Sequence, residues 1–242
     1  MVKQDAKQAK AINTLVQKLV SRFKPEEPPA TDPIVQLVIS FLSWNASTRK
    51  AEDAYGKLMS EFVDINELRV SSIDQIVTII GEDYPEARPR VARMREALHE
   101  IFLREHALST TTLAAKNKKD QRTYLDTLPG MTPYVAAQVM LLSFNGYAMP
   151  VDEKLVLLLE REGCVDEGLS PAEVEAALLR QIKAADALKA HLALQAWSDV
   201  SRITPPATTG AEATPPPAKA PRSRNTKKKS TRSKKKKIAK KK

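Results

Sequence analysis

The stretch that decides the fold is Leu128-Pro129-Gly130-Met131-Thr132-Pro133-Tyr134-Val135-Ala136, with Asp152 eighteen residues beyond Tyr134 in Val151-Asp152. Pro129 disfavours helical geometry at Leu128, so a preceding helix ends there. Gly130 tolerates positive φ. Thr132 suits an N-cap and Pro133 the first helical position after it. The spacing predicts helix, tight hairpin, helix. Backbone N–H groups at such a helix end can hold a phosphate without reading bases. The same joint also serves as a plain structural turn. Asn145-Gly146 ends the second helix, and Pro150-Val151-Asp152 puts a carboxylate at the mouth of the next one. That carboxylate is either an N-cap or a group set to act on a sugar beside the bound phosphate.

Outward from the hairpin, helical periodicity persists. Ala11, Leu15, Leu19 and Phe23 share one face of a first helix, which Pro25 and Pro28 end. Asp32-Pro33 caps a helix running from Ile34 to Trp44 that is apolar nearly all round, as a central core helix is. Thr48–Phe62 is amphipathic. Ser71-Ser72-Ile73-Asp74 opens a shorter helix ending at Gly81, and Ala87–Arg104 is long, with Arg88, Arg90, Arg93 and Arg95 expected on a basic outer face. Helices are also expected over 118–128, 132–144, 153–162 and 185–200, and Ser170-Pro171-Ala172-Glu173 is a capping box opening one more. No convincing strand is present. The expectation is an all-α domain of about ten helices over residues 1–203.

Composition narrows the class. The 242 residues carry one cysteine, Cys164, so no disulfide framework or cysteine metal site can form within the chain. His99, His106 and His191 are scattered, and no metal site is expected. No apolar run approaches the roughly 20 residues that cross a bilayer, and Met1–Lys10 lacks a secretory apolar region. These features predict a cytoplasmic protein with no membrane partner. Net charge is +10, but fourteen Lys or Arg lie beyond Ile203 against the single acid Glu212, which leaves the preceding residues at −3.

Residues 204–221 hold six prolines among Ala and Thr and read as a linker. Residues 222–242 include Lys227, Lys228, Lys229, Arg232, Lys234, Lys235, Lys236 and Lys237. A block this basic repels itself and stays disordered until it meets a polyanion. It reads as a non-specific DNA- or RNA-phosphate-binding tail, or as a solubilising one.

The hairpin, the following helix and Val151-Asp152, in this order, resemble the endonuclease III branch of the helix-hairpin-helix DNA glycosylases. That branch carries a Leu-Pro-Gly-Val-Gly hairpin, a helix, then Val-Asp opening another helix. Asp32-Pro33-Ile34 through Ser43-Trp44-Asn45-Ala46-Ser47 is similar to its apolar helix ending in a Leu-Ser-x-Gln-x-Thr loop. Ile79-Ile80-Gly81 with Ala87–Phe102 is similar to its Ile-Gly segment and long helix. About residues 8–200 can be laid on the family in order. The resemblance implies a helix-hairpin-helix DNA glycosylase-like fold, double-stranded DNA as partner, and an enzyme that flips a nucleotide and cuts its base–sugar bond.

By the same resemblance, Asp152 is the catalytic carboxylate, and Gly130, Met131, Thr132 and Tyr134 hold DNA phosphate. Asn45 matches a Gln that fills the gap left by the flipped base, or is simply a helix C-cap. Tyr134 stands where bifunctional members carry a Schiff-base lysine. It lines the base pocket or is plain packing, and lysine-based strand cleavage is not expected. Lys154 follows Asp152 on another helix and does not match that lysine. Tyr84 occupies the place of a second wedge loop, though the neighbouring acids oppose a close approach to DNA. Three departures weaken the likeness: Thr132 replaces the second hairpin glycine, Pro133 lacks an N–H, and Glu153 adds a second charge beside Asp152. The family's four-cysteine iron–sulfur cluster is absent, so no cofactor is expected. The reading is a monofunctional DNA N-glycosylase of base excision repair, associated with the nucleoid. The alternatives are a catalytically silent, architectural helix-hairpin-helix DNA-binding protein, or a helical protein-interaction domain tethered to the nucleoid.

Overall fold

In the computed structural model, which describes residues 2–203, every regular element is helical. The helices are α1 (Val2–Phe23), α2 (Pro33–Ser43), α3 (Thr48–Glu61), α4 (Ile65–Val70), α5 (Ile73–Ile80), α6 (Ala87–Glu105), α7 (Thr111–Ala114), α8 (Lys118–Asp126), α9 (Pro133–Phe144), α10 (Glu153–Arg161), α11 (Pro171–Gln181) and α12 (Ala187–Val200). A 3-10 turn, Ala184–Asp186, leads into α12. The linker and the lysine tail expected over 204–242 lie outside the described residues. No helix among the described residues is long and apolar enough to cross a membrane.

Side-chain caps start the helices where the sequence places them. Asp32 accepts from the Ile34 N–H at 2.8 Å, and Pro33 follows at the first helical position. Ser170 and Glu173 form a reciprocal capping box on α11. Each such cap stabilises its helix by about 1 kcal/mol. α2 is the central rod: it packs on α3, α6 and α9, and Leu37, Val38, Phe41 and Leu42 are fully buried. Truncating Phe41 to Ala should cost about 3–5 kcal/mol. α5 bridges α3 and α6, and α8 lies on α9. A second group forms where the chain returns to its start: α1 lies along α12, and α10 and α11 pack beside them. α12 also meets α3 and α9, which joins the two groups.

The described residues hold the ten expected helices and two more, α4 and α7, which are too short to show a period. Two expectations need correction. Arg90 is not on an outer face of α6. It is fully buried, on the stripe of Ala87, Val91, Met94 and Leu98. Tyr84 is no exposed wedge either: it is 3% exposed, and its hydroxyl donates to the Leu42 carbonyl at 2.7 Å.

Candidate functional site

The hairpin forms as the sequence dictates. The Met131 N–H donates to the Leu128 carbonyl at 3.2 Å, with Pro129 and Gly130 between them and Gly130 at φ +73. That is the type II pattern, which demands glycine at its third position. Thr132 then caps α9 through the Val135 N–H at 3.3 Å. The Met131 N–H is thus engaged within the turn. Among the described residues the N–H groups of Gly130, Thr132 and Tyr134 have no protein partner.

Gly130 is needed for a second reason. A Cβ there would stand 2.5 Å from the Arg93 carbonyl oxygen, so the hairpin rides directly on the backbone of α6. Gly163 offers a control, since it has φ +67 but open space around it. Gly163→Ala should cost about 1–2 kcal/mol through backbone strain alone. Gly130→Ala should cost roughly 2 kcal/mol more in urea unfolding, because backbone cannot yield as a side chain can. Equal losses would mean that the hairpin backs off α6 freely.

Asp152 caps α10. Its Oδ1 accepts the Leu155 N–H at 2.8 Å, and the residue is 5% exposed. The nearby Asn45 backbone N–H also favours the ionised carboxylate. Burial raises the carboxyl to about 6, the Glu153 charge adds to the rise, and the two N–H donors and Lys154 oppose it. Asn45 follows the end of α2 in the left-handed region, φ +52. Its backbone therefore serves Asp152, while its Oδ1 is buried and has no partner. Of the residues singled out in the sequence, Asp152 and Asn45 are brought into contact, and Tyr134 is close enough for Asp152 to raise its hydroxyl electrostatically.

Tyr134 is 3% exposed, and burial is the main cause that pushes its hydroxyl far above the ordinary phenol range. The hydroxyl makes two long contacts, to Ser43 Oγ and Gln195 Oε1, each 3.4 Å. Ser43 donates to Gln138 Oε1 at 3.0 Å. Gln195 donates to Asp199 at 3.2 Å, and Asp199 also accepts the Thr48 N–H at 3.2 Å. These side chains come from α2, α9 and α12 and form a polar seam beside Asp152. The sequence reading missed Ser43, Gln138 and Gln195. Ser43 and Gln138 were detectable as polar residues inside two strongly apolar helices, where a buried polar group demands a partner or a purpose.

Arg90 lies beneath this seam. Its Nε donates to the Pro85 carbonyl at 2.9 Å, and its Nη1 donates to the carbonyls of Phe41 and Leu42 at the end of α2. Desolvation lowers its pKa, while Tyr84, Glu86, Tyr134 and Asp152 oppose the fall. Lys154 turns away from Asp152, its Nζ donating to the Ser198 carbonyl at 2.5 Å. Open clefts of about 420, 350 and 600 Å³ lie along α4–α6, along α1 near Cys164, and between α1 and α12. Asp152 lines none of the three.

A four-thiolate iron–sulfur cluster does not fit the donor set. The 242 residues hold one cysteine, Cys164, which is 2% exposed, and burial pushes its thiol up to about 11. Among the described residues no group of three or more His, Cys, Asp or Glu could hold a metal ion.

No family model matches the chain, and no curated protein matches it. Solved structures do. A trapped endonuclease III–DNA covalent intermediate is similar with a TM-score of 0.61 at 15% identity, over 77% of this chain and 84% of that one. The Clostridium acetobutylicum 8-oxoguanine glycosylase/lyase, bound to DNA with cytosine opposite 8-oxoG, gives 0.62 at 16% identity, over 80% of this chain and 69% of that one. A thermostable thymine-DNA glycosylase gives 0.57 at 17% identity, over 81% of this chain and 90% of that one. The fold of this chain is that of the helix-hairpin-helix DNA glycosylase superfamily.

Proposed function

We propose that this protein is a monofunctional DNA N-glycosylase, acting on a damaged or mismatched nucleotide in duplex DNA with Asp152 as its catalytic carboxylate. The observation that carries the reading is the buried Asp152 at the mouth of α10, held by the Asn45 backbone from one side and facing Tyr134 from another. Breaking a base–sugar bond sends the bonding electrons to the base and leaves positive charge on the sugar. A desolvated carboxylate stabilises that charge far better than one in water. Glycosylases reach such a bond by flipping the nucleotide, and the polar seam around Tyr134 is where the base would enter. Schiff-base chemistry needs a free amine at the sugar. Position 134 offers a phenol, and the Lys154 amine is committed to Ser198.

The test is incubation with duplexes carrying mismatches or oxidised pyrimidines, followed by alkali to reveal abasic sites. Base release is expected without strand cleavage before alkali. Release must fall about 100-fold or more in Asp152→Asn. Because Asp152 must be ionised, the rate should rise tenfold per pH unit up to about 6 and then level. A pH-independent rate, or release that survives Asp152→Asn, would remove Asp152 from the role.

One observation favours a second reading, a catalytically silent DNA-binding protein. Tyr134 fills the seam, and Asp152 lines none of the three clefts. That reading predicts duplex binding with no Asp152-dependent release across the whole panel. Either way, the lysine tail is expected to supply much of the non-specific affinity. Deleting residues 219–242 should remove most duplex binding and flatten its salt dependence, since the slope scales with the phosphates neutralised. An unchanged slope would exclude the tail.

A further inference from the structure

A chain of cations and aromatic rings runs from the hairpin past the loop that serves Asp152. The Arg93 guanidinium lies 6.0 Å from the Trp44 ring, and the Arg90 guanidinium lies 5.7 Å from the same ring. Arg90 is also 5.2 Å from the Tyr84 ring, over which Lys50 Nζ stands at 5.2 Å. The order is Arg93, Trp44, Arg90, Tyr84, Lys50. The middle three are buried, and the two ends are partly exposed.

The buried members have structural work to do. Arg90 ties the end of α2 to Pro85, and Tyr84 bonds the Leu42 carbonyl. The ends have none of that kind. Among the described residues the charged ends of Arg93 and Lys50 form no ion pair or hydrogen bond with protein. Each is instead laid over a ring, which fixes a cation in place without neutralising it. Their position adds the second half of the argument. Arg93 carries the backbone on which Gly130 rests, and Trp44 adjoins Asn45, whose backbone N–H favours the ionised Asp152. Two oriented, unneutralised cations therefore stand at the ends of one chain of rings, Arg93 beside the hairpin and Lys50 at the far end over Tyr84, on a body whose net charge is negative.

We infer that Arg93 and Lys50 form a phosphate clamp for the DNA strand lying across the Trp44–Asn45 loop. This rests on the reading of the protein as a DNA-binding enzyme. The clamp compensates for a hairpin in which the Met131 N–H is spent on the turn and Pro133 has none to give. Arg93 is suited to a two-pronged contact with phosphate oxygens, and Lys50 acts as a point charge.

The test is the salt dependence of duplex binding by the full chain, on plain duplex and on duplex with a tetrahydrofuran abasic analogue. Arg93→Gln and Lys50→Gln should each lower the slope of log K against log salt by about 0.9, and the double variant by about twice that. Arg93→Lys, which keeps the charge, should keep the slope. Arg161→Gln, at the end of α10 remote from Asp152, should change nothing. Far-ultraviolet circular dichroism confirms that the variants fold. Slopes unchanged in both single variants, or lowered equally by Arg161→Gln, would overturn the clamp. The measurement does not depend on catalysis. A lowered slope without base release leaves the clamp standing and sinks the glycosylase reading, and release with unchanged slopes does the reverse.

Discussion

Asp152→Asn should make the protein more stable at pH 8 while it abolishes any base release. The carboxyl stands at about 6 in the folded chain against an ordinary 3.8, chiefly because it is buried. Between those values the folded state binds more protons than the unfolded one, so stability falls as pH rises from about 4 to about 6 and stays at the lower level above. A shift of that size corresponds to about 3 kcal/mol. Asparagine is as good an N-cap as aspartate, and it carries no charge to desolvate. The variant should therefore match wild type near pH 4 and exceed it above pH 7, by roughly 6–12 °C in melting temperature for a body of this size. Thermal unfolding of both proteins across that range checks it. A variant less stable than wild type at pH 8 would mean that the Leu155 and Asn45 N–H groups hold the ionised form more tightly than burial opposes it. Stability lost to keep a charge in place is expected of a functional site rather than of a simple cap.

The second large effect is structural. Arg90→Ala should destabilise the protein by about 3–5 kcal/mol or more. The Phe41 and Pro85 carbonyls would lose their Arg90 donor, the Leu42 carbonyl would keep only the Tyr84 hydroxyl, and a buried volume between Trp44 and Tyr84 would empty. Arg90→Lys should rescue little, because one ammonium cannot span carbonyls that a planar fork reaches in two directions. Hydrogen exchange should speed up first at the end of α2 and in the Trp44–Asn45 loop. A loss under about 1 kcal/mol, or protection unchanged at α2, would show that water replaces the guanidinium at no cost.

Much of this was legible in the sequence, and the reasons are local. Asp32-Pro33, Thr132-Pro133, Ser170-Pro171 and Asp152 announce helix starts through caps that act over three residues, and each start is found where its cap stands. The short helices α4 and α7 escape because six and four residues do not display a period. The charge of Arg90 points outward while its register points inward: Ala87, Val91, Met94 and Leu98 mark the buried stripe on which it falls. Tyr84 sits among Glu82, Asp83 and Pro85, a surface composition, and its acceptor lies 42 residues earlier in the chain. The same limit applies to the site. The step from hairpin to Asp152 is visible along the chain, whereas Ser43, Gln138 and Gln195 meet Tyr134 only because α2, α9 and α12 converge.

The placement of Trp44 has an optical consequence. The chain has two tryptophans, and the other, Trp197, sits in α12. Trp44 is 9% exposed and lies against two guanidinium groups next to the Asn45 loop. Its emission is set by the local field of those charges, so any polyanion that draws Arg93 off the ring changes the indole's colour and yield. Trp197→Phe would leave Trp44 as the single tryptophan, at the mouth of the site, and with the indole excited selectively, occupancy could be followed there in real time without a label.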